Sequence, residues 1–161
     1  MVVMASGNDS YVLCELAGTT YALRSDDIEQ LEMVGRFTPV PNAPAFVDGV
    51  TSVRGRVIPA ISLRARFGFE RAEYDLRSRL VVVRAFGRSV GLIVDNAREF
   101  AAIPEDKIQP PPEGLVELST RYLRGVAQLG ERLVLILDVP ELLRVADTTP
   151  VVSAETLPAL S

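Results

Sequence analysis

The sequence predicts a mainly β protein made by internal duplication. Three observations lead there: short apolar runs punctuated by turn residues, two segments that recur at a nearly fixed spacing, and helical periodicity confined to single turns. A chain of 161 residues fits one domain, or two small ones sharing a core. At this size roughly 68–70% of the unfolded surface can be buried. The composition is ordinary for a globular protein, 48% hydrophobic and 24% charged.

Read in order, residues 1–8 form an expected flexible N-terminal tail, and Tyr11 to Leu16 is the first strand. Gly18-Thr19-Thr20 turns the chain into a return strand, Tyr21 to Leu23. A helical turn is expected over Asp26 to Glu29. Thr38 to Pro44 carries three prolines that cannot donate hydrogen bonds, so it reads as an extended connection or an edge. Val50 to Val53 and Val57 to Ile61 form a hairpin around Arg54-Gly55-Arg56, where Gly55 supplies the positive φ of a tight reversal. Gly49 enters that hairpin with no turn to make, which points to close approach of another backbone.

Leu63 to Phe67 is a short helix, and Leu80 to Arg84 and Val90 to Val94 make a second hairpin through Phe86-Gly87-Arg88-Ser89. Pro104 to Lys107 is a turn, Pro110 to Gly114 is extended, Leu115 to Ser119 is a candidate helix, and Val139 to Val145 is a helix with Asp138 as its N-cap. Residues 146–161 are small and aperiodic, an expected flexible C-terminal tail that leaves one domain over 9–145.

The duplication is visible in two blocks. Gly18/Gly87, Leu23/Leu92 and Asp26/Asp95 are identical at an offset of 69, with Tyr21/Val90 and Leu31/Phe100 similar. Phe46 to Val50 aligns on Tyr122 to Val126 at an offset of 76, and the match continues through Arg56/Arg132, Ile58/Val134 and Leu63/Val139. Two related halves follow, about residues 11–70 and 78–143. Each has five short strands too few to be stable alone, so two barrels on a common core are expected. Arg54 reads either as a solvated turn residue or as a contact. Its counterpart is Gly130, so the repeat does not require arginine there, and the asymmetry favours a role specific to the first half.

The chain contains no histidine, which removes the commonest general base and metal ligand near neutral pH. Zinc sites built from cysteine and histidine are excluded as well, because Cys14 is the only cysteine and it lies in an apolar strand. A carboxylate-based hydrolase using Asp26, Asp27, Asp95 or Asp138 is a remote alternative, since turns and helix caps account for the same residues. A net charge of −4 argues against nucleic acid. Lys107 is the only lysine, so almost all basic charge is arginine, a side chain suited to partner surfaces. No apolar run approaches the length of about eighteen residues that spans a membrane, and no secretory signal is evident, so a cytoplasmic address without direct membrane insertion is expected.

The stretch from Pro41 to Arg64, PNAPAFVDGVTSVRGRVIPAISLR, strongly resembles the signature of the CheW family, the chemotaxis coupling proteins. Val90 to Asp95, Leu118 to Gly125 and Leu129 to Leu137 extend the match, which covers about residues 11–144. The resemblance implies two five-stranded SH3-like β-barrel subdomains on a shared hydrophobic core with a few short helices, and neither catalysis nor a cofactor. It implies a cytoplasmic adaptor, monomeric when alone, that joins the tips of transmembrane methyl-accepting chemoreceptors to the regulatory domain of the histidine kinase CheA in receptor arrays. A CheW-like scaffold of a non-swimming circuit, for surface motility or gene regulation, is the alternative. Carried over by position, Arg54 and Gly49 fall on receptor-coupling positions, and Val94 and Gly125 on the lining of a groove between the halves. Ile28 and Leu31 fall on an apolar pair tied to the kinase contact. Ser52, Ser62 and Gln30 depart from the usual Asn, Asp and Glu.

Overall fold

The computed structural model describes residues 10–112 and 121–144. The expected tails and the candidate helix over 115–119 lie outside them.

Ten strands follow one another: β1 (Ser10–Leu16), β2 (Thr19–Arg24), β3 (Ile28–Met33), β4 (Val47–Val53), β5 (Arg56–Ser62), β6 (Arg79–Ala85), β7 (Arg88–Val94), β8 (Asn96–Ala102), β9 (Leu123–Leu129) and β10 (Arg132–Leu137). Helix α1 (Leu63–Arg66) follows β5, and a second helix, α2, covers 139–144 after β10. The expected mainly β class with few short helices is the one observed.

The strands form two five-stranded sheets. Sheet A has the order β8-β1-β2-β10-β9 and sheet B the order β3-β6-β7-β5-β4. Advancing each strand by five positions in the repeat turns one order into the other. Every sheet therefore takes strands from both halves, in place of the one barrel per half that was expected. β10 pairs in parallel with β2, and β5 with β7, so each terminal strand of a half docks on the hairpin of the other half.

Each sheet curls until its edges meet at one bridge rather than along a full ladder. After β3 the chain reaches Thr38, whose amide donates to the Val50 carbonyl at 2.8 Å and whose carbonyl accepts from the Val50 amide at 2.9 Å. In sheet A, Gln109 and Val126 exchange the same two bonds at 2.8 Å. Thr38 opens the first segment expected to be extended and Gln109 immediately precedes the second, and these two residues supply the closing contacts of two SH3-like subdomains.

Three apolar clusters follow from the period-two alternation of the strands. Tyr11, Leu13, Ala22, Val134 and Ile136 fill the interior of the sheet A barrel. Val53, Ile58, Ala60, Leu80, Val82 and Ile93 fill that of sheet B. The opposite faces meet in a larger shared core that includes Val12, Leu16, Leu23, Val81, Leu92 and Val94. At about 25 cal/mol per Å² of apolar surface removed from water, this double use of each strand is what lets such short strands hold.

The hairpins are tighter than expected. Ala17-Gly18 and Phe86-Gly87 alone make the reversals, so β2 begins at Thr19 and β7 at Arg88. The helical turn near Asp26 is a single 3-10 turn, Ser25–Asp27, and Ile28 already belongs to a strand.

Candidate functional site

Arg54 and Gly55 are the two central residues of the β4–β5 reversal, with φ of +50° and +82°. Two positive φ values in a two-residue hairpin loop define a type I′ turn, whose twist matches that of the strands. Glycine, asparagine or aspartate suits the first position, and another side chain there costs about 1–2 kcal/mol. Ala17 and Phe86 occupy the same first position in their hairpins, with φ of 52° and 55°, so the conformation is a habit of the fold. What sets Arg54 apart is its lack of a partner: it is exposed and makes no hydrogen bond or ion pair among the described residues. Arg56, two residues on, donates to Glu29 at 2.9 Å and to Ser89 at 3.2 Å.

Beside Arg54, Val57 is 70% exposed and stands opposite Ser52, while Val50 stands opposite Pro59. Alternation puts these four side chains on one face, and the same face of β5 continues to Ile61 in the shared core. The strip thus runs from an unpaired guanidinium toward the shared core.

Gly49 and Gly125 are both buried and stand at equivalent points of β4 and β9. A Cβ on Gly49 would overlap the Thr38 carbonyl, and one on Gly125 would lie 2.6 Å from the Gln109 carbonyl oxygen. The expected close backbone approach at Gly49 is therefore the closing bridge of its sheet. Val94 is 1% exposed inside the shared core, so it offers a partner no surface.

Ile28 and Leu31 lie on β3, an edge strand of sheet B. Three residues apart on a regular strand, they would face opposite sides. A β-bulge at Glu29 inserts an extra residue, so that Ile28 stands opposite Val83 and Leu31 opposite Val81. Both half-buried side chains therefore pack against the shared core. Three strands separate β3 from β4 in the sheet order, but the curl brings the two edges back together: Glu29, next to Ile28, accepts from Arg56, two residues from Arg54.

The carboxylates serve the fold. Asp138 accepts from the Glu141 amide at 3.0 Å and caps α2 as expected. Ser62, its counterpart, accepts from Ala65 at 3.2 Å and caps α1, so serine fills the same role as aspartate there. Asp95 binds Arg64 through both oxygens, at 2.9 and 2.7 Å, and also accepts from the Ala17 amide at 2.9 Å. Burial alone would raise its pKa, but Arg64 and Ala17 outweigh burial and lower it. Asp26 pairs with Arg24 at 3.6 Å. Asp27 is raised by burial, with Arg24 opposing and Asp26 and Asp138 adding to the rise. Among the described residues its acidic neighbours are committed, Asp26 to an ion pair and Asp138 to a helix cap.

Two arrangements escaped sequence reasoning. The Arg66 guanidinium carbon lies 4.6 Å from the Phe46 ring centroid and 5.3 Å from that of Tyr122, bracketed by equivalent aromatics of the two halves. Their match in the repeat was visible, but the cation between them was not. Asp48 binds Arg71 at 2.8 Å and accepts from the Tyr74 hydroxyl, anchoring the loop after α1 over the entry to β4. Burial and then that carboxylate push Tyr74 up to about 12.

A family model described as the CheW-like domain matches residues 10–147. The chemotaxis protein CheW of Klebsiella aerogenes is 31% identical over 133 residues, covering 83% of this chain and 80% of that protein. CheW of Treponema pallidum is 25% identical over 147 residues, covering 88% and 86%. Protein FrzA of Myxococcus xanthus is 32% identical over 104 residues, covering 65% of this chain and 64% of its own. The crystal structure of the scaffolding protein TtCheW from Thermoanaerobacter tengcongensis superposes with a TM-score of 0.75 at 30% identity, covering 81% of this chain and 89% of that one.

Proposed function

Because the chain belongs to the CheW-like domain family, we propose that it is a non-catalytic adaptor coupling methyl-accepting chemoreceptors to the histidine kinase CheA. The observation that carries this reading is Arg54, a guanidinium left without a partner on a rigid turn beside the exposed Val57. An apolar strip with a charged edge is what a helical hairpin tip would dock against. In this reading Arg54 meets the receptor, and Gly49 and Gly125 keep the strip in shape by allowing the closing bridges. Val94 supports it from beneath. The kinase's regulatory domain packs on β3 through Ile28 and Leu31, whose edge position leaves strand-end surface open to a partner.

The adaptor works in the cytoplasm among receptor clusters, is a monomer by itself, and needs no cofactor. Among the described residues no helix is long and apolar enough to cross a membrane. The likeness to FrzA favours a second reading, in which the same scaffold serves a chemosensory circuit with an output other than swimming. Purified chain added to CheA and a receptor fragment in vesicles should raise receptor-controlled kinase activity. No binding to either partner encoded near its gene would sink both readings, and a deletion that alters surface behaviour but not swimming would select the second.

A further inference from the structure

Arg66 is a cation that neither the fold nor the coupling reading uses. At the offset of 76 its counterpart is Leu142, which is buried in the shared core, so the repeat asks only for an apolar side chain there. Arg64, two residues earlier on α1, is fully committed: it binds both oxygens of Asp95 and donates to the Glu70 carbonyl at 3.0 Å. Arg66 makes no hydrogen bond or ion pair among the described residues. Its Nε is buried without a partner, while its two terminal nitrogens, equally unpartnered, reach solvent. Nor does it cap α1, because the Leu63, Arg64 and Ala65 carbonyls already accept from the amides of Phe67, Phe69 and Gly68.

What holds Arg66 is aromatic, since its guanidinium lies against the Phe46 and Tyr122 rings. Both rings are fixed at the seam of the two halves. The Phe46 carbonyl accepts from the Ser62 amide and the Tyr122 carbonyl from the Asp138 amide, each at 2.8 Å, and Tyr122 stacks on Phe67 with ring centroids 5.3 Å apart. The rings set the position of the guanidinium without neutralising it, because they offer a quadrupole but no carboxylate. A half-buried guanidinium with an orphaned N–H is costly to the free chain, and one held in place is pre-organised for a planar acceptor. We propose that Arg66 and its two rings form a site for a carboxylate side chain on an acidic peptide segment of a partner protein, which pairs with the terminal nitrogens. Arginine and tyrosine are side chains that anchor interfaces, and apolar residues flanking the acid would exclude water from the pair and strengthen it. Arg54 lies at the other end of the β4–β5 hairpin, so this contact is separate from the one assigned to it and does not rest on the coupling reading.

The test is an NMR titration of the isotope-labelled full chain with the blocked peptide acetyl-Leu-Glu-Leu-amide, its glutamine analogue and propionate. Saturable shifts should concentrate on the amides of Phe46, Arg66, Phe67 and Tyr122 and on the Arg66 Nε–H. The glutamate peptide should bind about tenfold tighter than either control, the scale of a charge-assisted hydrogen bond. Arg66→Leu copies Leu142 and should abolish binding while leaving the melting temperature equal or higher, because it removes an unpaired N–H. Arg66→Lys keeps the charge without the planar fork and should weaken binding about tenfold. A markedly lower melting temperature in Arg66→Leu would assign Arg66 to the fold and overturn the proposal. Equal binding of the glutamine peptide or of propionate, or the absence of saturable shifts at these residues, would overturn it as well. So would binding that emerges only when the chain's own Glu113 and Glu117 are both changed to Gln, since the chain would then fill the site itself. Neither receptor nor kinase is present, so the outcome stands apart from the coupling assay.

Discussion

A Cβ built on Gly49 would overlap the carbonyl of Thr38, the residue whose amide and carbonyl join the two edges of sheet B. Gly49 also has a φ of +141°, in a region that side chains rarely adopt, whereas Gly125 is not among the residues with positive φ. Gly49→Ala should therefore cost about 3 kcal/mol or more, from clash and strain together, and Gly125→Ala less, about 1–3 kcal/mol from crowding alone. Urea unfolding of both variants checks this. Equal losses, or a Gly49→Ala loss below about 1 kcal/mol, would mean the bridge does not constrain the fold.

Arg54 separates turn from contact. Arg54→Gly relieves the left-handed position and should raise stability by up to about 1 kcal/mol, while Arg54→Ala stays within about half a kcal/mol. Both should weaken receptor-controlled kinase activation, because neither supplies a guanidinium. A variant that is more stable yet couples normally would return Arg54 to a turn residue.

Much of the architecture was legible because turns and alternation are local. The hairpins, the Asp138 cap and the close approach at Gly49 could all be read from single residues, whereas the Ser62 cap could not. β3 and β8 could not be read as strands, because a bulge in each shifts the alternation by one residue: Ile28 and Leu31 share the core-facing side three residues apart, as on a helix, and Ala97 and Phe100 share a side at the same spacing although Phe100 is 69% exposed. The exchange of strands between the halves was equally hidden, since a repeat shows that two segments are alike without showing which pairs with which. Val94 entered through resemblance, and only burial shows that it lies under the surface rather than on it.

Leu31 and Val57 should behave reciprocally if the two surfaces serve different partners. Leu31 is half-buried against the shared core, so Leu31→Ala should cost about 1–2 kcal/mol and weaken binding of the CheA regulatory domain. Val57, 70% exposed on β5, should lose little stability on truncation and affect receptor binding alone. Calorimetry with each partner separately reads the pattern. Loss of both partners in either variant, at temperatures where it remains folded, would contradict two distinct sites.

Cys14 should be inert in the folded chain. Burial, then Asp95 and Glu15, push its thiol up to about 12, and the side chain is 1% exposed. Reaction with a thiol reagent should follow the urea-unfolded fraction, since the thiolate is the nucleophile. Rapid labelling under native conditions would show that β1 opens locally.

Asp95 should give stability a specific acid dependence. It ties the β1–β2 turn of sheet A to the end of β7 in sheet B and to α1, through Ala17 and Arg64. Its folded pKa lies below the unfolded value, so its stabilisation is complete above that value, about 3.9, and disappears as pH falls through the folded pKa. Asp95→Asn keeps the shape but loses the charge, and should cost about 1.5–3 kcal/mol at neutral pH, the range for hydrogen bonds to charged groups. Other carboxylates, including Asp75 and Glu29, are lowered too, so the difference between the two proteins isolates Asp95. That difference should hold from pH 7 to 5 and shrink below about pH 4 as the wild-type carboxylate takes up its proton. A gap unchanged at pH 3 would assign the loss to packing or geometry, and the link between the barrels would not be electrostatic.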